Sequence, residues 1–276
     1  MSDTIVGLRS PGKLFNVHPR MKYHFIMGIL AVMSISMSDS RSETLVSKLL
    51  ADYEKITTLT CELRKDVVGP AGSGRRLSRI YFQRPDMLHV DNATPIKRRI
   101  VADGKSLYSY IEGDPKGFYR PIKDLDFEWL VSLRNVPGSA VEHLLKIGDA
   151  TEVELPPTED YQMMRGYQTE RLFVVLGLDE MGRLATIQFY ASAEMKKLTA
   201  QYIYRNFTEP VDGVWLSTLH EATLWANDQE IRETTRISNL VVNQPIAPSL
   251  FIPSNFFKGI DFASRMEEIY PSKKSD

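Results

Sequence analysis

The chain carries 79-RIYFQRPDMLHV-90 and, a little further on, 101-VADGKSLYSY-110. The first stretch holds two apolar runs split by Arg84-Pro85. The second holds two runs split by Asp103, Gly104 and Lys105. Proline has no ladder donor, so Pro85 ends a strand. Asp-Gly between alternating apolar residues signals a two-residue hairpin turn. Together they predict antiparallel strands over 75–84, 87–92, 97–102 and 106–112. They also pose a question: why does an arginine close a strand that otherwise reads as buried?

Outward from this block the pattern is consistent. Leu45, Leu49, Tyr53 and Ile56 recur at helical spacing over 44–55, with Ser42 as the expected N-cap. A strand follows at 59–68, and 69-GPAGSG-74 reads as the loop to the next. That loop lacks the lysine of a P-loop and the spacing of a dinucleotide fold. Beyond 112 the period changes. Leu125, Trp129 and Leu133 fit one helix; Val141, Leu144, Leu145 and Ile147 fit another; 135–138 breaks them apart. Strands return at 151–155, 171–178, 184–191, 199–207, 215–226 and 230–241, with turns at Gly182 and Asn227-Asp228. A helix, antiparallel strands, a helical pair and more antiparallel strands make an α+β design. A sheet this long curls. Helices closing it enclose an apolar interior suited to an apolar ligand.

The bulk numbers agree with a globular protein. The chain has 276 residues, 43% hydrophobic and 25% charged. A formal net charge of -1 provides no global field for nucleic acid, and none is expected as a partner. From Met21 the sequence reads MKYHFIMGILAVMSISMSDS: Lys22, an apolar run over 25–35, then small residues at Ser36 and Ser38. This is a secretory signal pattern. The expectation is a leader over 1–38 with translation starting at Met21, a single domain over 39–261, and a charged, flexible tail over 262–276. The single cysteine, Cys61, stands away from the cleavage site and cannot form an internal disulfide. It reads as a small apolar strand residue.

Catalysis finds no support. His89, His143 and His220 are far apart and lack metalloprotease spacing, and there is no G-x-S-x-G elbow. Asp124, Asp126 and Glu128 precede an apolar helical run, where acids favour the helix dipole. Neither an enzyme nor a metal or cofactor is expected.

RIYFQRPDMLHV followed by IVADGKSLYSY resembles the periplasmic lipoprotein carrier of the Lol pathway and its wider, LolA-like superfamily. The similarity runs from about Leu45 to Tyr110 and rests on Arg84, Pro85, Asp103, Gly104 and Lys105. Later, 212-DGVWLSTLHEATLW-225 and 239-NLVVNQPIAPSLFIPSNF-256 look like the outer-membrane lipoprotein-sorting relatives, whereas 113-GDPKGFYRPIKDLDFEW-129 departs from the pattern. The resemblance implies an unclosed antiparallel β-barrel. An N-terminal helix and internal helices would form a lid over a hydrophobic cavity. It implies that Arg84 latches the lid through backbone carbonyls; the bland alternative is a solvated strand-end charge. Phe82, Leu88, Tyr108, Tyr110, Trp129, Phe189, Tyr202 and Tyr204 are cavity-lining candidates, with a solid core as the alternative for each. The implied function is a monomeric periplasmic carrier of acylated lipoproteins or another lipid. Its partners would be an inner-membrane donor complex and an outer-membrane acceptor. The alternative is an envelope sensor or scaffold of the same fold. RseB-like regulators of that kind normally carry a second C-terminal domain, and the chain's end soon after Phe256 favours the carrier.

Overall fold

The computed structural model describes residues 43–226 and 229–270. The expected leader and start, the Ser42 cap, the Asn227-Asp228 turn and the last six residues of the tail lie outside the described residues. In chain order the elements begin with helix α1 (Leu45–Glu54), β1 (Thr58–Gly69), β2 (Gly72–Gln83), β3 (Met87–Thr94), β4 (Arg98–Asp103), β5 (Ser106–Ile111) and β6 (Gly117–Pro121). Then come α2 (Phe127–Arg134), α3 (Val141–Ile147), β7 (Glu152–Leu155), β8 (Met163–Gln168), β9 (Phe173–Leu178) and β10 (Leu184–Tyr190). The chain continues through β11 (Leu198–Val211), β12 (Val214–Ala226), β13 (Gln229–Val242), β14 (Phe262–Ala263) and α4 (Met266–Ile269). The strands form one sheet in the order β14-β6-β5-β4-β3-β2-β1-β13-β12-β11-β10-β9-β8-β7. Neighbours are antiparallel except β14, which runs parallel to β6. Among the described residues the edge strands β14 and β7 do not pair, so the barrel is unclosed.

Alternation decides the faces. Leu59 pairs with Phe82, Phe82 with Leu88, Leu88 with Ala102 and Ala102 with Leu107, which lays one apolar row across five strands. Helices cover this inner face. Tyr53 of α1, Leu133 of α2 and Leu144 of α3 join the same hydrophobic core. Each fully buried side chain of this size contributes about 1.5–3 kcal/mol. Cys61 lies in that core as expected, and burial pushes its thiol up to about 12.

The outer face of β3–β5 carries a second, smaller cluster. The segment after β13 folds back across it, burying Phe251 and packing Phe256 on His89 at 4.6 Å between ring centres. The tail expected to be loose from 262 is ordered through 270. Phe262 pairs with Gly117, where a Cβ would sit 2.4 Å from its ring, and Ile269 of α4 enters the core at 4% exposure. Apolar residues inside the charged tail outweigh its average composition. Two further expectations change. The β1–β2 loop shrinks to Pro70-Ala71, because glycines at 69, 72 and 74 take part in the ladder. Thr44 caps α1, its Oγ1 accepting from Ser47 N at 3.1 Å.

Candidate functional site

Arg84 stands where β2 ends, beneath the last turn of α1. Helix C-termini leave carbonyls without intrahelical partners, and the guanidinium supplies donors in a fixed fork. Its Nε donates to Ile56 O at 2.8 Å and one terminal nitrogen to Tyr53 O at 3.0 Å. The other meets Glu54 Oε1 at 2.9 Å. The side chain is 17% exposed, which removes the solvated strand-end alternative. The carbonyls it holds belong to the last turn of α1 and to Ile56 just past it, not to the internal pair α2 and α3. The tie to that pair comes from a residue the sequence reading passed over. Asp86 accepts from Arg134, the last residue of α2, at 2.8 and 3.4 Å. One turn after β2 thus holds both α1 and α2. The only sequence signal was an acid directly after Arg-Pro.

The opposite end of α1 is held as well. Leu45 N donates to Glu152 Oε2 at 2.9 Å, and Glu152 also accepts from Tyr167 and pairs with Arg165 at 3.2 Å. A carboxylate there also suits the positive end of the helix dipole. Nothing in the sequence around Glu152 signalled this role. Asp103 has a local task. Its Oδ1 accepts from Lys105 N and Ser106 N at 2.9 and 2.8 Å, and Gly104 takes φ 85°, so Asp-Gly-Lys builds the β4–β5 turn. Asp126, from the acidic cluster, caps α2 by accepting from Trp129 N at 3.0 Å.

Of the lining candidates, Phe82, Leu88, Trp129, Phe189, Tyr202 and Tyr204 face or pack on the inner core. Tyr108 and Tyr110 do not. In β5 the inward positions are Leu107 and Ser109, so Tyr108 and Tyr110, which alternate with them, point outward. Tyr108 packs there against Phe262 and Phe257, at 5.3 and 6.3 Å. The interior itself is filled: Ile56, Leu59, Phe82, Leu144, Leu176 and Ile187 are each 0% exposed. Two smaller spaces adjoin it. One of about 370 Å³ lies between α1 and β9–β12, lined by Leu49, Tyr53, Leu178, Met181 and Trp215. The other, about 190 Å³, lies beside α3 and is lined by Lys65, Asn135, His143, Tyr202, His220 and Glu233.

That second space joins two histidines the sequence leaves far apart. His143 of α3 sits 4.1 Å from Tyr202, and His220 of β12 sits 4.9 Å from Tyr204, between ring centres. Burial pushes both imidazoles down to about 4, so both are neutral at pH 7. Among the described residues no three His, Cys, Asp or Glu side chains gather as a metal site.

A curled, unclosed sheet roofed on one face by polar-latched helices defines the class: a lidded half-barrel. Two solved structures share it. An outer membrane lipoprotein-sorting protein domain from Vibrio parahaemolyticus superposes with a TM-score of 0.50 at 13% identity, covering 75% of this chain and 94% of that one. A DUF1329 family protein from Desulfovibrio piger gives 0.50 at 12% identity, covering 76% and 95%. A LolA superfamily protein from Nitrosomonas europaea gives 0.47 at 14% identity, covering 75% and 97%. The likeness to the Vibrio domain shows that the chain has that fold. No family model matches the sequence. No curated protein matches it either.

Proposed function

We propose that the protein is an exported, soluble carrier. It shields acyl chains of lipoproteins, or of another lipid, between the inner sheet face and helices α1–α3. It receives them from an inner-membrane donor and passes them to an outer-membrane acceptor. The observation that carries this reading is the closure. An apolar interior of this size is roofed by helices tied down through Arg84, Asp86 and Glu152 at their ends. Polar ties of that kind open without tearing a sheet. Chains would enter beside α1, at the space bordered by Leu49, Met181 and Trp215. The shared fold with a lipoprotein-sorting domain supports the same reading.

The filled interior favours one other reading, an envelope sensor of this fold that never loads a chain. A displacement titration with fatty acids of increasing length separates the two. Each buried methylene contributes roughly 0.8 kcal/mol, so a carrier's affinity climbs with length until the space is full. Affinity that ignores chain length, or hydrolysis of the ligand, sinks the carrier reading. Native mass spectrometry of protein isolated from a periplasmic extract shows whether export and loading occur together.

A further inference from the structure

On the outer face, away from the helices, three guanidiniums converge on one carboxylate. Arg64 Nε lies 2.8 Å from Asp66 Oδ2, Arg75 Nε lies 2.6 Å from Oδ1, and Arg236 lies 3.6 Å from Oδ2. The three arginine side chains remain 44, 56 and 55% exposed. Each guanidinium carries about five donors, while a carboxylate offers about four acceptor sites. One planar carboxylate cannot satisfy three forks, and the 3.6 Å separation leaves Arg236 beyond hydrogen-bond reach. Whole-chain charge does not explain the cluster, since the formal net charge is -1.

A groove of about 930 Å³ opens directly beside it. Arg64 belongs to both, and Leu77, paired with Arg64 in the ladder, begins the groove floor at 39% exposure. Ala93, Tyr110 and Phe256 continue that floor; Arg79, two residues further along β2, lines its walls with Arg98, Arg99 and the acids Glu62, Asp91 and Glu112. Cationic donors at one end and an apolar strip of floor between charged walls suit the two halves of an amphiphile.

We propose that this outer groove binds a phosphate-headed amphiphile. The phosphate takes Arg64, Arg75 and Arg236, and the apolar body lies along Leu77, Ala93 and Phe256. A phosphate monoester is preferred over a carboxylate because it presents three oxygens to three forks. Asp66 acts as an internal competitor: it keeps the empty arginines gathered and yields them when the stronger anion arrives. The site is separate from the interior and does not depend on acyl loading there.

Calorimetric titration of the full chain with dodecyl phosphate below its micelle concentration tests this. Arg64→Gln and Arg236→Gln should each weaken binding roughly tenfold, the loss of one charge-assisted contact. Asp66→Asn should tighten it, because the competitor is gone; a cluster built only for stability would lose melting temperature and gain no affinity. Leu77→Ser, which removes apolar floor without adding charge beside Arg64, should weaken dodecyl phosphate and leave inorganic phosphate unchanged. Arg171→Gln, an exposed cation elsewhere, should change nothing. Equal affinity across all variants overturns the proposal. So does inorganic phosphate binding as tightly as dodecyl phosphate, which would assign the arginines to the free anion. Sedimentation with phosphatidylglycerol vesicles but no binding of the monomer would assign them to a bilayer surface and overturn it equally.

Discussion

Arg84 shows what a single side chain does when it closes a helix end. Its hydrogen bonds reach the carbonyl of Tyr53 in the last turn of α1 and that of Ile56 just past the helix, and its guanidinium carbon lies 5.7 Å from the centre of the Phe82 ring. The Glu54 partner is 66% exposed and adds little. Hydrogen bonds from a charged donor contribute about 1.5–3 kcal/mol. Arg84→Leu should therefore lower stability by about that amount. If the carrier reading holds, it should also tighten acyl binding, since less of the ligand's energy goes into lifting α1. Arg84→Lys should fall between, keeping the charge but losing the fork. Chemical denaturation and an acyl titration on the three proteins check both. Unchanged values for Arg84→Leu in both would mean that the capped carbonyls are equally well served by water.

At the scale of elements, the lid is fixed to the sheet by backbone as well as by side chains. Between α2 and α3, Gly138 O accepts from Ser217 N of β12 at 2.8 Å with Gly138 at φ 88°. A Cβ there would stand 3.0 Å from Ser217 O, a backbone atom that cannot swing aside. Gly138→Ala should destabilise by about 1–3 kcal/mol, from left-handed strain on top of the clash. Hydrogen exchange should rise first in α2 and α3, and a uniform rise across the sheet would contradict the local account. At the other end of α1, Glu152→Gln keeps an acceptor but removes the charge at the helix dipole. It should cost about 0.3–1 kcal/mol in denaturation, and no change would mean the hydrogen bond alone matters there. Much of this layer was legible beforehand. The hairpins around 79–110 and the helical pair followed from alternation, Pro85 and Asp103-Gly104. Strand β8 was not, because Gly166 interrupts its pattern; the structure needs that gap, since a Cβ would meet Phe173 at 2.4 Å. Strand β6 was hidden between Gly117 and Pro121, and β14 is two residues long. The face of Tyr108 and Tyr110 was misjudged because alternation fixes which residues share a face, not which face the helices cover. Arg84 could be picked out from its strand-end position, whereas Glu152 acts across 107 residues of sequence and left no local trace.

At the scale of the whole molecule, two buried histidines would couple any lifting of α3 to protons. His143 lies on α3 and faces Tyr202, Phe189 and, across the small cavity, His220; Glu142, Lys146 and Lys65 supply the nearby charges. Burial holds both imidazoles near 4, against an ordinary value of 6.5. Lifting α3 would return them to water and to the ordinary value. The closed form then binds fewer protons than the open form wherever pH lies between those values. Its stability is complete above 6.5 and is lost as pH falls towards 4. Going from neutral pH to pH 5, each imidazole exposed in this way shifts the balance by on the order of 1–2 kcal/mol towards the open form. A ligand that requires the open form is favoured by the same amount. If the carrier reading holds, acyl affinity should therefore rise between pH 7 and pH 5, roughly tenfold for each imidazole that gains full solvation. Replacing both, in His143→Asn with His220→Asn, should flatten the profile whatever it does to the affinity itself. The measurement is acyl affinity of both proteins across that range, with tyrosine circular dichroism reporting that the core stays folded. A wild-type profile as flat as the variant's would mean that the helices admit a chain without uncovering either histidine.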